Sequence, residues 1–423
     1  MSNVEINTFG CRLNIYESEA IKEQLKDLTF NDDIIVFNTC AVTKEAEKQA
    51  VQAIRKAKRD FPNKKIIVTG CAAQLDPSKF AKMSEVDKVL GNQEKFEKNN
   101  YSLTQEPAEL KILVNDIMST KETAGHIVSS FEGMIRSFVQ IQNGCNHRCT
   151  FCTIPFARGN SRSVPIASIV EQTKKLVDNG YKELVLTGVD ITDFGLDLPG
   201  SPTLGEMVQR LLKLVPELPM LRLSSLDVAE IDPLLFELMA YEPRVMPYAH
   251  ISLQAGDNMI LKRMKRRHNR EQVLEFCHKL RTSRPDTVFG ADIIAGFPTE
   301  TEEMFQNSFD LIAQAGLQLL HVFPYSARSN TPAARMPQLP KQIRKERAEK
   351  LRAEGHKELH KFFNSAIGKN YKVIVEQPHL GRTDNFLQVK LPPELGLKEG
   401  DIIDMNITGY EDKYLIASFI NSL

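Results

Sequence analysis

The chain has 423 residues, 42% of them apolar, and its 54 basic side chains are balanced by 54 acidic ones. That length fits two or three domains, and the formal net charge of zero excludes a protein-wide basic field, so a polyanionic partner has to be met by local patches. No apolar run approaches the ~20 residues needed to cross a bilayer, and MSNVEINTFGC has neither a cationic start nor a hydrophobic segment, so a cytoplasmic protein without membrane contact is expected.

In chain order, three short runs rich in β-branched or aromatic residues come first: VEINTF, DIIVFN and KIIVTG. Each ends at a cysteine (Cys11, Cys40, Cys71) and each is followed by a helical pattern. Strand, loop and helix in alternation predict a parallel sheet whose strand C-termini open on one edge, which would bring the three cysteines to one rim. Residues 101–134 show no sustained period and read as a connector with one edge strand. From residue 135 six further strand patterns (FVQIQ, ELVLTG, LRLSS, AHISLQ, FGADIIAG, LLHVFPYS) alternate with helical ones, as in a partial (βα)6 barrel with its site at the strand C-termini. A charged helix over 341–363 leads out of the barrel. The last sixty residues turn β-rich, with turns at HLGRTDN and LKEG, and predict a small β-barrel.

GCNHRCTFC, directly after the first barrel strand, places Cys145, Cys149 and Cys152 in one loop. An odd count of seven cysteines in clustered spacing favours metal ligation over disulfides. Three thiolates leave one coordination position open, where closed zinc and iron–sulfur sites take four protein ligands. A zinc knuckle completed by His147 or a remote residue is the competing reading of the spacing. Cys277, on the apolar face of EQVLEFCHKL, belongs to the core.

C-x3-C-x2-C after the first strand of a (βα)6 pattern resembles the radical S-adenosylmethionine superfamily. The resemblance implies that Cys145, Cys149 and Cys152 hold a [4Fe-4S] cluster whose fourth iron binds S-adenosylmethionine, with Phe151 shielding it from solvent and His147 an ordinary loop residue. TFGCRLNIYESE, NTCAVTKEAEKQA and TGCAAQ resemble the N-terminal domain of the methylthiotransferases, which implies a second [4Fe-4S] cluster on Cys11, Cys40 and Cys71. The tail resembles the RNA-binding TRAM barrel. NTCAVT, GNSRSVP, LTGVDI, SLQAGD and HVFPYSAR are most similar to the group that adds a methylthio function to N6-threonylcarbamoyladenosine in tRNA. Sister groups act on isopentenyladenosine or on a ribosomal-protein aspartate. A non-catalytic RNA-binding protein with structural zinc is a further alternative.

The implied organisation is an α/β N-terminal domain over 1–100, a connector over 101–134, a radical SAM partial barrel over 135–362 and the small β-barrel over 363–423, in a monomer. Polar residues at barrel strand ends are the candidates for holding S-adenosylmethionine: Thr187, Asp190, Ser224, Ser225, Gln254 and Asp292, with Gly188 admitting the methionyl amine to the backbone. KRMKRRHNR offers Lys262, Arg263, Lys265, Arg266, Arg267 and Arg270 to tRNA phosphates. Arg158, Arg162 and Arg328 are expected on the same surface, and Arg382 and Phe386 either touch RNA or pack the tail. The chemistry also requires an electron donor and a sulfur source, neither of which the sequence identifies.

Overall fold

The computed structural model describes residues 4–28, 30, 32–102, 111–121, 123, 125–392 and 396–420. Its first layer is a five-stranded parallel sheet in the order β1 (Val4–Thr8), β2 (Ile34–Thr39), β3 (Lys65–Gly70), β4 (Lys88–Leu90) and β5 (Ile112–Leu113). The β2 run IIVFNT is buried throughout, as expected of a central parallel strand covered on both faces. Helices α1 (Arg12–Leu25), α2 (Lys44–Asp60), α3 (Cys71–Leu75) and α4 (Pro77–Ala81) supply the covers. Thr43 starts α2 by accepting a hydrogen bond from the Ala46 amide at 3.1 Å. β5 is the edge strand expected in the connector; residues 103–110, 122 and 124 of that connector lie outside the described residues.

Six parallel strands form the second unit: β6 (Arg136–Gln140), β9 (Glu183–Thr187), β10 (Met220–Leu223), β11 (Tyr248–Gln254), β12 (Val288–Ala295) and β13 (Leu319–Pro324). Their ladders run β10-β9-β6 and β11-β12-β13. The parallel bridges Leu221–Val245 and Leu226–Ile251 join the halves across β10 and β11. A short hairpin, β7 (Gln142–Asn143) with β8 (Arg162–Ser163), brackets the cysteine loop and the single-turn helix α5 (Ile154–Arg158). Helices α6 (Ile166–Asp178), α7 (Leu204–Leu214), α8 (Pro233–Tyr241), α9 (Asn258–Met264), α10 (Arg270–Ser283) and α11 (Glu302–Ala315) alternate with the strands. Capping boxes at Thr203/Glu206 and Asn269/Gln272 set the starts of α7 and α10. The main core lies between this sheet and its helices and includes fully buried Cys277, as expected.

Helix α12 (Lys341–Ala366) crosses the outer edge at β13 and leads to a closed five-stranded barrel, β14 (Asn370–Gln377), β15 (Leu380–Thr383), β16 (Gln388–Lys390), β18 (Tyr414–Phe419) and β17 (Ile402–Glu411). HLGRTDN is thus more than a turn, because its LGRT segment is the strand β15, paired to β14 and β16. Four residues with a glycine and an arginine show no alternation, and only pairing on both sides makes them a strand.

Candidate functional site

Cys11 caps α1, Cys40 follows β2 and Cys71 opens α3, so three adjacent strands deliver three thiols to one edge of the sheet. A Cβ on Gly10 would sit 2.6 Å from the Cys40 Cβ, so glycine is what permits this approach. Burial pushes the Cys40 thiol up to about 11, with Cys71 and then Cys11 adding to it. A metal that binds thiolates relieves that cost.

In the barrel, Gly144 turns with φ +72°, and any Cβ there would run into the Asn160 carbonyl. The loop is stapled from below by Gln142, which donates to the Gly144 carbonyl (2.7 Å) and Ser161 Oγ (2.9 Å) and accepts from the Val189 and Asp190 amides (2.9 Å each). Thr150 fastens the other side, its amide donating to the Met264 carbonyl (3.1 Å) and its hydroxyl to that of Arg263 (2.8 Å). Phe151 packs edge-on to Phe297. Burial pushes the Cys152 thiol up to about 12, and Cys149 and, from the other domain, Cys71 press the same way. His147 is no free loop residue, since its Nε2 lies 2.9 Å from Asp190 and 3.6 Å from Glu230.

One cavity of about 230 Å³ lies between the two cysteine-bearing regions, and of the six cysteines Cys152 is the one that lines it. Val42 and Thr43, just past Cys40, line it from the N-terminal sheet; Phe151–Ile154 line it from the cysteine loop; Gln254, Asp292 and Phe323–Ser326 close it from the strand ends. Gln254 holds φ +67°, unusual for a non-glycine and typical of a residue placed for contact. Burial pushes the Asp292 carboxyl up, yet hydrogen bonds from His250 and His321, each at 3.2 Å, hold it below the usual carboxylate range. Of the residues expected at S-adenosylmethionine, Gln254 and Asp292 therefore reach the cavity. Thr187, Ser224 and Ser225 sit at the ends of β9 and β10, where the buried Ser224 hydroxyl has no partner among the described residues. Asp190 approaches the cysteine loop, 3.8 Å from the Cys145 sulfur. A Cβ on Gly188 would stand 2.9 Å from Gln142, so this glycine makes room for the staple.

Four of the six basic residues expected at phosphates also have partners within the molecule. Arg266 pairs with Asp227 (2.9 Å) and points at the Cys149 sulfur (3.7 Å). Arg263 donates to Thr299 Oγ1 (2.9 Å) and Arg270 to the Gly256 carbonyl (2.7 Å). Arg267 pairs with Glu230. The run crosses from the end of α9 to the start of α10, leaving Lys262, Lys265 and Arg267 exposed and Arg263, Arg266 and Arg270 half-buried. Arg158 and Arg162 are buried as well, and Arg328 pairs with Glu47 across the cavity rim (3.1 Å). Phe386 lies on Tyr248 with ring centroids 4.8 Å apart and so packs the tail against the barrel, while Arg382 pairs with Glu376 within the tail at 2.8 Å. The sequence signal that could have exposed this is the matching supply of acids, Asp227, Glu230 and Glu376, at the neighbouring strand ends.

A partial parallel barrel carrying three cysteines on its first loop is the arrangement of a radical S-adenosylmethionine enzyme, and comparisons with known proteins agree. Residues 139–312 match the Radical SAM superfamily and residues 3–91 an uncharacterised protein family, UPF0004. The chain is 59% identical over 411 residues (97% of its length and 96% of the relative's) to the threonylcarbamoyladenosine tRNA methylthiotransferase MtaB of Rickettsia prowazekii, and 37% identical (92% and 96%) to that of Aquifex aeolicus. A tRNA-2-methylthio-N(6)-dimethylallyladenosine synthase of Ehrlichia canis is 29% identical (91% and 90%). Among solved structures, the radical S-adenosylmethionine methyltransferase TsrM of Kitasatospora setae shares the fold, with a TM-score of 0.55 over 79% of this chain and 77% of that one at 15% identity. The chain belongs to the threonylcarbamoyladenosine tRNA methylthiotransferase family. As a radical SAM enzyme it uses a [4Fe-4S] cluster and S-adenosylmethionine. No helix among the described residues is long and apolar enough to cross a membrane.

Proposed function

We propose that the protein converts N6-threonylcarbamoyladenosine in tRNA to its 2-methylthio derivative, with Cys145, Cys149 and Cys152 holding the S-adenosylmethionine cluster and Cys11, Cys40 and Cys71 a second [4Fe-4S] cluster. The observation that carries this reading is the shared cavity, walled on one side by the loop behind Cys40 and on the other by the loop that contains Cys152. Both donor sets fit: each has three thiols, and each has an arginine directed at one sulfur, Arg158 at Cys71 (3.2 Å) and Arg266 at Cys149 (3.7 Å). Such cations compensate the negative charge of thiolate-ligated iron.

Carbon 2 of adenine is neither acidic nor electrophilic enough for side-chain acid–base work, and the bound cofactors would supply the radical chemistry for that position. The chain's own residues position and exclude. Gln142 and Thr150 hold the cysteine loop, Gln254 and Asp292 present polar groups to the cavity, and Phe151, Ile294 and Phe323 keep its wall apolar. Lys262 and Lys265, beside the barrel mouth, meet tRNA phosphates. The N-terminal domain (1–100), barrel (135–362) and TRAM-like tail (363–423) act as one cytoplasmic monomer.

Nucleoside mass spectrometry of tRNA from cells with and without the gene tests the substrate. Loss of the methylthio group from threonylcarbamoyladenosine is expected; an unchanged profile, or loss from isopentenyladenosine instead, overturns the assignment. Anaerobically isolated protein carries about eight irons per chain under this reading, whereas colourless protein with zinc alone returns the structural-metal alternative.

A further inference from the structure

Arg158 ends α5, a few residues beyond Cys152, yet its guanidinium is buried in the N-terminal domain at 2% exposure. Nε donates to the Cys71 sulfur at 3.2 Å. Nη1 donates to Glu17 Oε1 (2.7 Å) and Asn143 Oδ1 (3.1 Å), and Nη2 to Asn14 Oδ1 (2.8 Å) and Glu17 Oε2 (3.1 Å). All the donor capacity of the fork is thereby used. Asn14 Oδ1 also faces the Cys11 sulfur at 3.6 Å, so one side chain from the barrel touches Cys71 directly and Cys11 through one intermediary.

The charge balance around this side chain is unusual. Glu17 is shared by Arg158 and by Lys95 (2.7 Å), both buried, which leaves two cations against one carboxylate. An uncompensated buried cation is unfavourable unless an anion completes the site. The nearest group able to become anionic in contact with Arg158 is Cys71, which marks the cysteine edge as built for a negatively charged occupant.

We infer that Arg158 is a positioning residue that locks the N-terminal cluster to the barrel and raises its reduction potential by donating to the Cys71 sulfur. The inference rests on the second cluster of the proposed function. Reduction adds one electron, supplied in the test by dithionite, and makes the cluster one charge more negative; a buried cation and an N–H···S bond stabilise that state.

The test is an anaerobic redox titration of the full two-cluster protein followed by electron paramagnetic resonance. Added S-adenosylmethionine identifies the barrel cluster by perturbing its signal alone. At the wild-type midpoint of the N-terminal cluster, where half is reduced, Arg158→Gln lowers the ratio of reduced to oxidised cluster about tenfold, a shift of about 59 mV for one electron. Glu17→Gln removes the counter-charge and raises the ratio by a similar factor. The barrel midpoint stays unchanged in both, and in Arg158→Gln the yield of methylthio product per 5′-deoxyadenosine falls about tenfold. Loss of N-terminal iron from Arg158→Gln alone, with Glu17→Gln titrating upward, also supports the inference. An unmoved midpoint in a variant that keeps its iron, shifts of the same sign, or iron lost from both variants overturns it in favour of a purely structural ion pair. Wild-type protein lacking iron at Cys11, Cys40 and Cys71 instead overturns the two-cluster reading beneath it.

Discussion

Replacing Glu183 with glutamine tests the electrostatic joint between the barrel floor and the tail. Glu183 opens β9 and is fully buried; its Oε1 accepts from Arg222 Nε at 2.6 Å and its Oε2 lies 3.1 Å from Arg136 Nε. Arg136 continues to Glu376 of the tail (2.7 Å), and Arg222 donates to the Asp384 carbonyl there (3.0 Å). Burial pushes the Glu183 carboxyl up, but the charges of Arg222 and Arg136 outweigh it and bring it down to about 2 from the usual 4.5. At 1.36 kcal/mol per pKa unit that difference corresponds to about 3 kcal/mol of folding stability at neutral pH. Removing one partner of a buried pair costs a similar ~3–5 kcal/mol. For a barrel of this size, about 3 kcal/mol lowers Tm by roughly 6–12 °C, readable by scanning calorimetry. Because the folded pKa lies below the unfolded one, the contribution is fully present above pH 4.5 and is lost as pH falls toward 2, so the Tm gap between wild type and Glu183→Gln closes over that window. A Tm loss under about 2 °C at pH 7, or a gap that stays constant down to pH 3, refutes the reasoning.

Gly144→Ala forces a Cβ against the Asn160 carbonyl at φ +72°, so the cysteine loop shifts and about half the iron per chain is lost; full iron loading contradicts this. Phe386→Ala removes a ring held between Tyr248 and Arg222 (4.6 Å from the ring centre), costs about 3 kcal/mol and raises hydrogen exchange in β14 and β15, whereas unchanged protection there means the ring does not carry tail docking. Lys262→Ala with Lys265→Ala lowers the log–log salt slope of tRNA binding by roughly 1.5 to 2 without changing iron content, and an unchanged slope removes these lysines from the interface. Arg266→Gln, by contrast, lowers iron retention at Cys149 more than it lowers tRNA affinity, since its guanidinium faces that sulfur; the opposite order restores it to the phosphate contacts.

The β-α alternation was legible because parallel strands covered on both faces carry short continuous apolar runs, as LVL in β9 and IIVF in β2. Short pieces whose form depends on neighbours were not. CAAQL becomes α3 only where it packs under the sheet edge, and LGRT becomes β15 only between two partner strands. Gln142 carried no signal either, since a lone glutamine after a strand says nothing of the four bonds it makes in the folded chain.

What the order of residues alone determined is the chemistry of the ligand sets: three thiols within one loop, and three more after consecutive strands of a parallel sheet, whose geometry sends all strand ends to one edge. What tertiary structure decided is the fate of the arginines. A long flexible side chain reaches water or the interior according to which acids or sulfurs the fold brings within a few ångströms, and the partners of Arg158, Arg222 and Arg266 lie at Glu17 and Cys71, Glu183, and Asp227 and Cys149. Those separations along the chain leave no local pattern, so the internal partners that Arg263, Arg266 and Arg270 find within the basic run are decided by the fold.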